Sequence, residues 1–239
     1  MMGAPRATGH ILAIGGAAFA IEDGAPLLLR YALDLVGKDR PRVCYFGQAS
    51  GESLEHTVAF YQVFSALGCE ATHCSLFSPP TADLRGFVLA QDLIYVGGGN
   101  TKSMLALWRE WGIDTIFRDA WRAGMVLMGV SAGSICWFEQ GVTDSIPGDL
   151  TALNCLGFLP GSNCPHYDGE PGRRPAYHRL IAAGEIVGGY ACDDGVALHY
   201  AGDKLHAIVS ARPDAHAYRV AKTGDQVIET VANTRYLGA

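Results

Sequence analysis

No paired-cysteine motif, no long apolar run and no basic stripe occurs in this chain, and each absence removes a class of protein. The seven cysteines, at 44, 69, 74, 136, 155, 164 and 192, are odd in number and nowhere form Cys-x-x-Cys. Neither a disulfide framework nor a zinc ribbon is indicated, and most of these thiols read as small core hydrophobes. No apolar run approaches the roughly 18 residues that a membrane-crossing helix needs. The opening Met1-Met2-Gly3-Ala4-Pro5-Arg6 lacks the apolar stretch of a secretory leader. A cytoplasmic protein without a membrane partner is therefore expected. Lys and Arg number 18 against 24 Asp and Glu, for a formal charge of −6, and no cationic run is long enough to follow a phosphate backbone, so nucleic acid is not expected. Internal repeats, low-complexity tracts and linkers are also missing, and residues 1–239 are expected to fold as one domain.

What is present is core-forming material: 49% hydrophobic residues against 18% charged, with a mean hydropathy of +0.13. Short apolar runs alternate with amphipathic stretches. His10-Ile11-Leu12-Ala13-Ile14 reads as a buried strand that empties into Gly15-Gly16, and residues 24–36 as a helix with Pro26 in its first turn. Arg42 to Phe46, a helix from Ser53 to Leu67 and a strand from Ala71 to Phe77 repeat the pattern. Leu93 to Val96 then leads into Gly97-Gly98-Gly99-Asn100-Thr101, followed by helices near 102–111 and 113–123. This spacing implies an α/β fold with a mostly parallel central sheet covered by helices on both faces. Beyond residue 140 the pattern is less regular. Gly/Pro/Asp-rich stretches at 141–149 and 158–175 read as loops, the second as a functional loop, and a helix is expected at about 175–183. Short strands near 187–191, 196–200, 205–210 and 217–221 suggest an antiparallel extension.

Chemistry concentrates at Gly129-Val130-Ser131-Ala132-Gly133. Gly-x-Ser-x-Gly carries weight where an apolar strand precedes it and a helix follows, because that context forces the serine into a tight turn with its hydroxyl exposed at the sheet edge. Met125 to Met128 supply the strand and Ala132 to Phe138 the helix, so Ser131 reads as a nucleophile; the plainer reading is a serine that caps the helix. A serine nucleophile needs a base and a carboxylate to orient it. His166, between Pro165 and Tyr167-Asp168-Gly169-Glu170, is a candidate base, with His10, His73, His56 and His178 as alternatives. Backbone N–H groups for an oxyanion hole are offered by the Gly97-Gly98-Gly99 turn and by the peptide after the nucleophile at Ala132. The glycine turn lacks both common nucleotide-binding spacings.

Placed in order, these segments resemble the peptidase E (aspartyl dipeptidase) and cyanophycinase family of serine peptidases, whose fold is like that of class I glutamine amidotransferases. The resemblance rests on Gly15-Gly16, Tyr95-Val96-Gly97-Gly98-Gly99-Asn100-Thr101, Gly129 to Ser134, and Cys164-Pro165-His166-Tyr167-Asp168, and covers most of the chain. It implies Ser131 as nucleophile, His166 as base, and Gly99 and Ala132 as oxyanion donors, with Asn100 positioning the substrate backbone. It also implies the chain order nucleophile, acid, base. Asp144 is the preferred acid on that order, with Asp149, Asp168 and Glu170 as competitors. The family's activities on Asp-X dipeptides and cyanophycin imply cationic or amide groups near the acyl side, for which Arg173 and Arg174 are candidates beside a plain solvated pair. After Asp193-Asp194-Gly195 no convincing equivalent of the extra terminal β-hairpin of longer peptidase E sequences is visible, which bears on that pocket.

The expectation is thus a serine peptidase that acts on small peptides, Asp-X dipeptides among them, without metal or organic cofactor. A small peptide is the expected partner, and a homodimer the assembly considered. The alternatives are a family member that acts on another small acyl or amide substrate, a non-catalytic binding protein, and an amidotransferase-like enzyme with a cysteine nucleophile, for which only Cys164 lies near the candidate base.

Overall fold

The computed structural model describes residues 8–17 and 26–238. The opening Met1 to Arg6 and the first two residues of the expected helix at 24–36 lie outside them. Strands β1 (His10–Ile14), β2 (Arg42–Phe46), β3 (Glu70–His73), β4 (Leu93–Val96) and β5 (Val126–Val130) alternate with helices α1 (Leu27–Val36), α2 (Leu54–Ala66), α3 (Leu84–Leu89), α4 (Thr101–Trp111) and α5 (Ile113–Arg122). The single-turn helix α6 (Ala132–Ile135) is followed by β6 (Phe138–Thr143), β7 (Thr151–Asn154), β8 (Leu159–Cys164), α7 (Arg173–Ala183) and β9 (Gly189–Cys192). The chain ends with β10 (Val196–Ala201), β11 (Lys204–Ser210), β12 (Ala217–Thr223), β13 (Gln226–Val231) and β14 (Arg235–Tyr236).

Two sheets result. The larger has the order β14-β11-β10-β1-β5-β4-β2-β3, in which β1, β5, β4, β2 and β3 are all parallel and β10 is antiparallel to β1. Side chains of β1 alternate between its faces: Ile11 and Ala13 pack with α3, α4 and α5, while Leu12 and Ile14 pack with α1 and α2. Helices therefore cover both faces, as the sequence implies. The smaller sheet has the order β13-β12-β9-β8-β6-β7. Its Phe138, Leu159, Cys192 and Ala217 join the same core as α4 and α5, and α7 covers its other side through Tyr177, Leu180 and Ile181. Among the described residues no helix is long and apolar enough to cross a membrane.

Local chemistry fixes several boundaries. The Ser53 hydroxyl accepts the His56 N–H to start α2, and Gly37 ends α1 in the left-handed region at φ 67. The strand expected to reach Phe77 stops at His73, and Phe77 is 73% exposed. The helix expected to reach Phe138 ends at Ile135, because Phe138 already belongs to β6. The loop-like stretches at 141–149 and 158–175 are partly regular, containing the end of β6, all of β8 and the start of α7. In the terminal segment β12 and β13 pair as a hairpin, from Thr223–Gln226 to Tyr218–Val231.

These two sheets also determine which loops meet. Parallel β1, β5, β4 and β2 deliver Gly15-Gly16, Ser131, Gly97 to Asn100, and Gly47 to Gly51 to one edge. In the smaller sheet β8 and β9 are parallel neighbours, with Cys164 opposite Ala191. The residues that follow each, His166 and Asp194, therefore emerge side by side. Because β10 starts at Val196 and runs antiparallel to β1, with Ala197 opposite Ile14, the turn before it lies at the edge that holds Ser131.

Candidate active site

Ser131 sits at the sharp bend between β5 and α6 with φ 57 and ψ −111, in a region that non-glycine residues avoid. Such a conformation costs roughly 1–3 kcal/mol and persists only where its surroundings hold it. Here its N–H donates to the Ile14 carbonyl at 3.1 Å, tying the bend to β1. Crowding explains the flanking glycines: a Cβ on Gly129 would lie 2.3 Å from the Gly133 carbonyl oxygen, and one on Gly133 would lie 2.4 Å from that of Val96. The strand, the tight turn and the start of a helix read from the sequence are present, the helix shortened to the single turn Ala132–Ile135.

His166 also has positive φ, at 56, and its N–H donates to the Gly15 carbonyl at 3.2 Å. Its imidazole joins Ser131 to a carboxylate. Nε2 lies 2.9 Å from Ser131 Oγ and Nδ1 lies 2.7 Å from Asp194 Oδ1. Since an ionised carboxylate only accepts, Nδ1 carries the proton toward Asp194 and Nε2 is left to accept from the serine hydroxyl. Gly16 passes against this row so closely that a Cβ would lie 1.8 Å from Asp194 Oδ1 and 2.6 Å from His166 Nδ1. The alternative histidines are elsewhere: His10 pairs with His199, His73 with Tyr61 and His178 with Glu229, while His56 is exposed on α2.

Asp194, and not Asp144, faces His166, which corrects both the expected residue and the expected chain order. Asp144 is 66% exposed, and Arg173 is its ion-pair partner at 3.8 Å. The segment turns away because Thr143 Oγ1 accepts the Ser145 N–H, and the Ser145 carbonyl accepts from Asn100 Nδ2. Asp149 is exposed on the same loop. Glu170 accepts from Arg173 Nε at 2.7 Å, and Asp168 accepts the N–H of Asp194 and a bond from Arg212. Burial raises the Asp168 carboxyl, but the Asp194 N–H and the Arg212 guanidinium outweigh it and hold the group below its ordinary value. The only signal for Asp194 in the sequence is that Asp193-Asp194-Gly195 follows a short expected strand; that His166 follows the neighbouring strand is seen only in the pairing of β8 with β9.

Other expected site residues are engaged in the fold. Asn100 caps α4 by accepting the Ser103 N–H at 2.9 Å while its nitrogen donates to the Ser145 carbonyl, so both ends of its amide are engaged within the fold. Arg173 is 2% exposed and donates to Glu170 and to the Val142 carbonyl. Arg174 lies over the rings of Tyr167 and Tyr218, at 4.5 and 4.6 Å, and is ion-paired with Glu229. Arg173 is thus neither solvated nor an open carboxylate clamp, whereas the Arg174 side chain stays 44% exposed with its charge already engaged by Glu229. The glycine loop lies against the elbow, and Ala132, the first residue of α6, directly follows Ser131. A Cβ on Gly98 would be 3.2 Å from Ser131 Cβ, and Gly99 has φ 130 with no room for a side chain beside the Ala49 carbonyl. Cys164 is buried, and burial, offset in part by Arg173, pushes its thiol up to about 12, which suits a packing role and not a nucleophile.

Comparison with known proteins gives the family. The pattern of Peptidase family S51 matches residues 11–208. The chain belongs to peptidase family S51. It is 50% identical over 229 residues to the uncharacterized peptidase YgaJ of Bacillus subtilis (strain 168), covering 96% of this chain and 99% of that one. A peptidase E of Shewanella denitrificans is 30% identical over 126 residues, covering 49% and 54% of the two chains. Among solved structures, a peptidase from an acI-B1 Actinobacterium superposes with a TM-score of 0.66 at 15% identity, covering 95% of this chain and 98% of that one. A protein assigned to peptidase E from Listeria monocytogenes EGD-e gives 0.58 at 17%, covering 95% and 100%. This S51 member is accordingly a serine-type peptidase with a peptidase E-like fold.

Proposed function

We propose that the chain hydrolyses small peptides through an acyl-enzyme on Ser131, with His166 as base and then acid and Asp194 as the carboxylate that orients it. The single observation that carries this reading is the unbroken row from Ser131 Oγ to His166 Nε2 at 2.9 Å and from Nδ1 to Asp194 Oδ1 at 2.7 Å. Oγ attacks the scissile carbonyl carbon as its proton passes to Nε2, and the carbonyl oxygen becomes an oxyanion. The N–H groups of Gly99 and Ala132 are assigned to that oxyanion, on the position of the Gly98-Gly99 loop against Ser131. The C–N bond then breaks with the Nε2 proton delivered to the leaving amine. Water, deprotonated by the same nitrogen, releases the acyl group and restores the serine.

A non-catalytic binding role would be favoured by a serine beyond reach of its base, and the 2.9 Å contact argues against it. For substrate choice, the relative named peptidase E makes Asp-X dipeptides the first class to test. The engagement of Arg173 and Arg174 by protein acceptors favours small peptides without a required N-terminal aspartate.

The test is labelling by a fluorophosphonate probe beside a panel of Asp-X, other X-X and β-aspartyl dipeptides. Stoichiometric labelling that disappears in Ser131→Ala is expected, with cleavage extending beyond Asp-X. A folded wild type that the probe leaves unmodified would overturn the nucleophile, and cleavage confined to Asp-X would overturn the substrate reading.

A further inference from the structure

We propose that Asp168 is a positioning residue that acts through Asp194, locking the acid-bearing turn to the loop that carries His166. The inference rests on the acyl-enzyme reading above and adds a fourth side chain to it.

A catalytic carboxylate must be held in direction as well as in place, because it sets both the tautomer and the plane of the imidazole. Asp194 lies on the short turn between β9 in one sheet and β10 in the other; its neighbours are held by backbone bonds, Asp193 N–H to the His216 carbonyl and Gly195 N–H to the Gly16 carbonyl, but its own N–H and carbonyl are bound by side chains. The clamp comes from Asp168 and Arg212. Asp168 Oδ1 accepts the Asp194 N–H at 2.8 Å, and Asp168 Oδ2 accepts from Arg212 Nη1 at 2.7 Å. The same Nη1 donates to the Asp194 carbonyl at 2.9 Å, so both polar groups of the Asp194 backbone are held by one ion pair. Asp168 stands two residues after His166, and one carboxylate therefore spans base loop and acid turn.

Backbone crowding supports the assignment independently. A Cβ on Gly169 would lie 2.6 Å from Asp194 Oδ2, so the peptide after Asp168 packs directly against the catalytic carboxylate. Gly195 has φ 78, and a Cβ there would lie 3.0 Å from Arg212 Cδ, so the guanidinium reaches the turn only over a glycine. Arg212 is anchored in turn: its N–H donates to Ser210 Oγ at 3.0 Å and its carbonyl accepts from that hydroxyl at 2.7 Å. Asp168 and Arg212 are each about one-third exposed, at 33% and 35%. An ion pair that exposed adds little to global stability, so its placement on the acid turn bears on geometry more than on folding.

Misplacing a catalytic group by about 1 Å can lower a rate on the order of 100-fold. The second-order rate constant of Ser131 labelling by a fluorophosphonate is measured for Asp168→Ala, Asp168→Asn, Asp194→Ala and the Asp168→Ala/Asp194→Ala pair, with the thermal midpoint of each. Asp168→Ala is expected to label roughly 10- to 100-fold more slowly at a nearly unchanged midpoint. Asp168→Asn keeps an oxygen acceptor for the Asp194 N–H and should regain most of the rate. In the Asp194→Ala background the Asp168→Ala change should cost nothing further, since a positioning residue has nothing left to position. Labelling of Asp168→Ala at the wild-type rate, or an equal loss with and without Asp194, would overturn the inference. Should Asp168→Ala not fold, Arg212→Gln opens the same clamp and enters the same cycle. Failure of the underlying reading looks different: the wild type itself would go unlabelled, or Asp194→Ala would label at full rate.

Discussion

At the scale of single residues, glycines and one arginine separate what the site needs from what the fold needs. Gly133 lies outside the Ser131–His166–Asp194 row, yet a Cβ there would meet the Val96 carbonyl oxygen at 2.4 Å, a backbone atom that cannot rotate away. Gly133→Ala is therefore expected to destabilise the protein by about 1–3 kcal/mol, and to slow Ser131 labelling by shifting the elbow. A drop in the urea midpoint at constant m-value is the check, and an unchanged midpoint would contradict the packing argument. Arg173 makes the opposite case. Were it a substrate clamp, its loss would raise KM; instead its guanidinium is buried on Glu170 and the Val142 carbonyl. Arg173→Ala should lower stability by about 1–3 kcal/mol, through the carbonyl and carboxylate left without a donor, and leave KM for cleaved dipeptides near wild type. Steady-state kinetics beside urea unfolding separate the two roles.

At the scale of elements, the terminal hairpin reaches the site through a carboxylate. Glu229 on β13 accepts from the Tyr167 hydroxyl at 2.6 Å and lies 2.8 Å from His178 Nε2, and Tyr167 directly follows His166. Burial raises the Glu229 carboxyl, but the bonds from Tyr167 and His178 and the charge of Arg174 pull it lower still, for a net depression. A depressed carboxyl adds stability that is present above the unfolded value, near 4.5, and is lost as the pH falls through the folded value. Glu229→Gln should thus be less stable than wild type at pH 7, with the gap closing below about pH 4.5; a constant gap across that range would exclude the linkage. The same hairpin marks where the sequence stops being readable. Strands β1, β2, β4 and β5 are continuous apolar runs buried on both faces, and they announce themselves. In contrast, Phe138-Glu139-Gln140-Gly141-Val142-Thr143 and Leu159-Pro160-Gly161-Ser162-Asn163-Cys164 carry loop-like composition. They become strands by pairing with each other across a register shift between Phe138 and Gln140, which accommodates Pro160. Ser131 was legible because its elbow is local. Asp194 was not, because its place beside His166 follows from the parallel pairing of β8 and β9, strands whose partnership no local pattern states.

At the scale of the whole molecule, the site is a junction: the larger sheet supplies Ser131, and the ends of two strands of the smaller sheet supply His166 and Asp194. The strand that leaves Asp194, β10, is fastened to β1 and α1 by a histidine cluster. His199 is 1% exposed, with Nε2 2.9 Å from His10 Nδ1 and Nδ1 2.8 Å from the Tyr31 hydroxyl, and His206 packs against its ring at 5.0 Å. Burial, reinforced by His10 and His206, pushes the His199 imidazole down to about 4 from an ordinary 6.5. Between those values the unfolded chain binds a proton that the folded chain refuses. Stability must then fall as the pH drops from 6.5 toward 4 and level off below, by on the order of 3 kcal/mol for this one group. The loss falls on the β1–β10 pairing, where Leu12 faces His199, and so on the strand that orders the acid turn. His199→Gln keeps a donor and an acceptor for Tyr31 and His10 but does not titrate. Its urea midpoint should decline less between pH 6.5 and 4 than that of the wild type, with labelling of Ser131 persisting to lower pH; parallel declines in the two proteins would remove His199 as the source of acid lability.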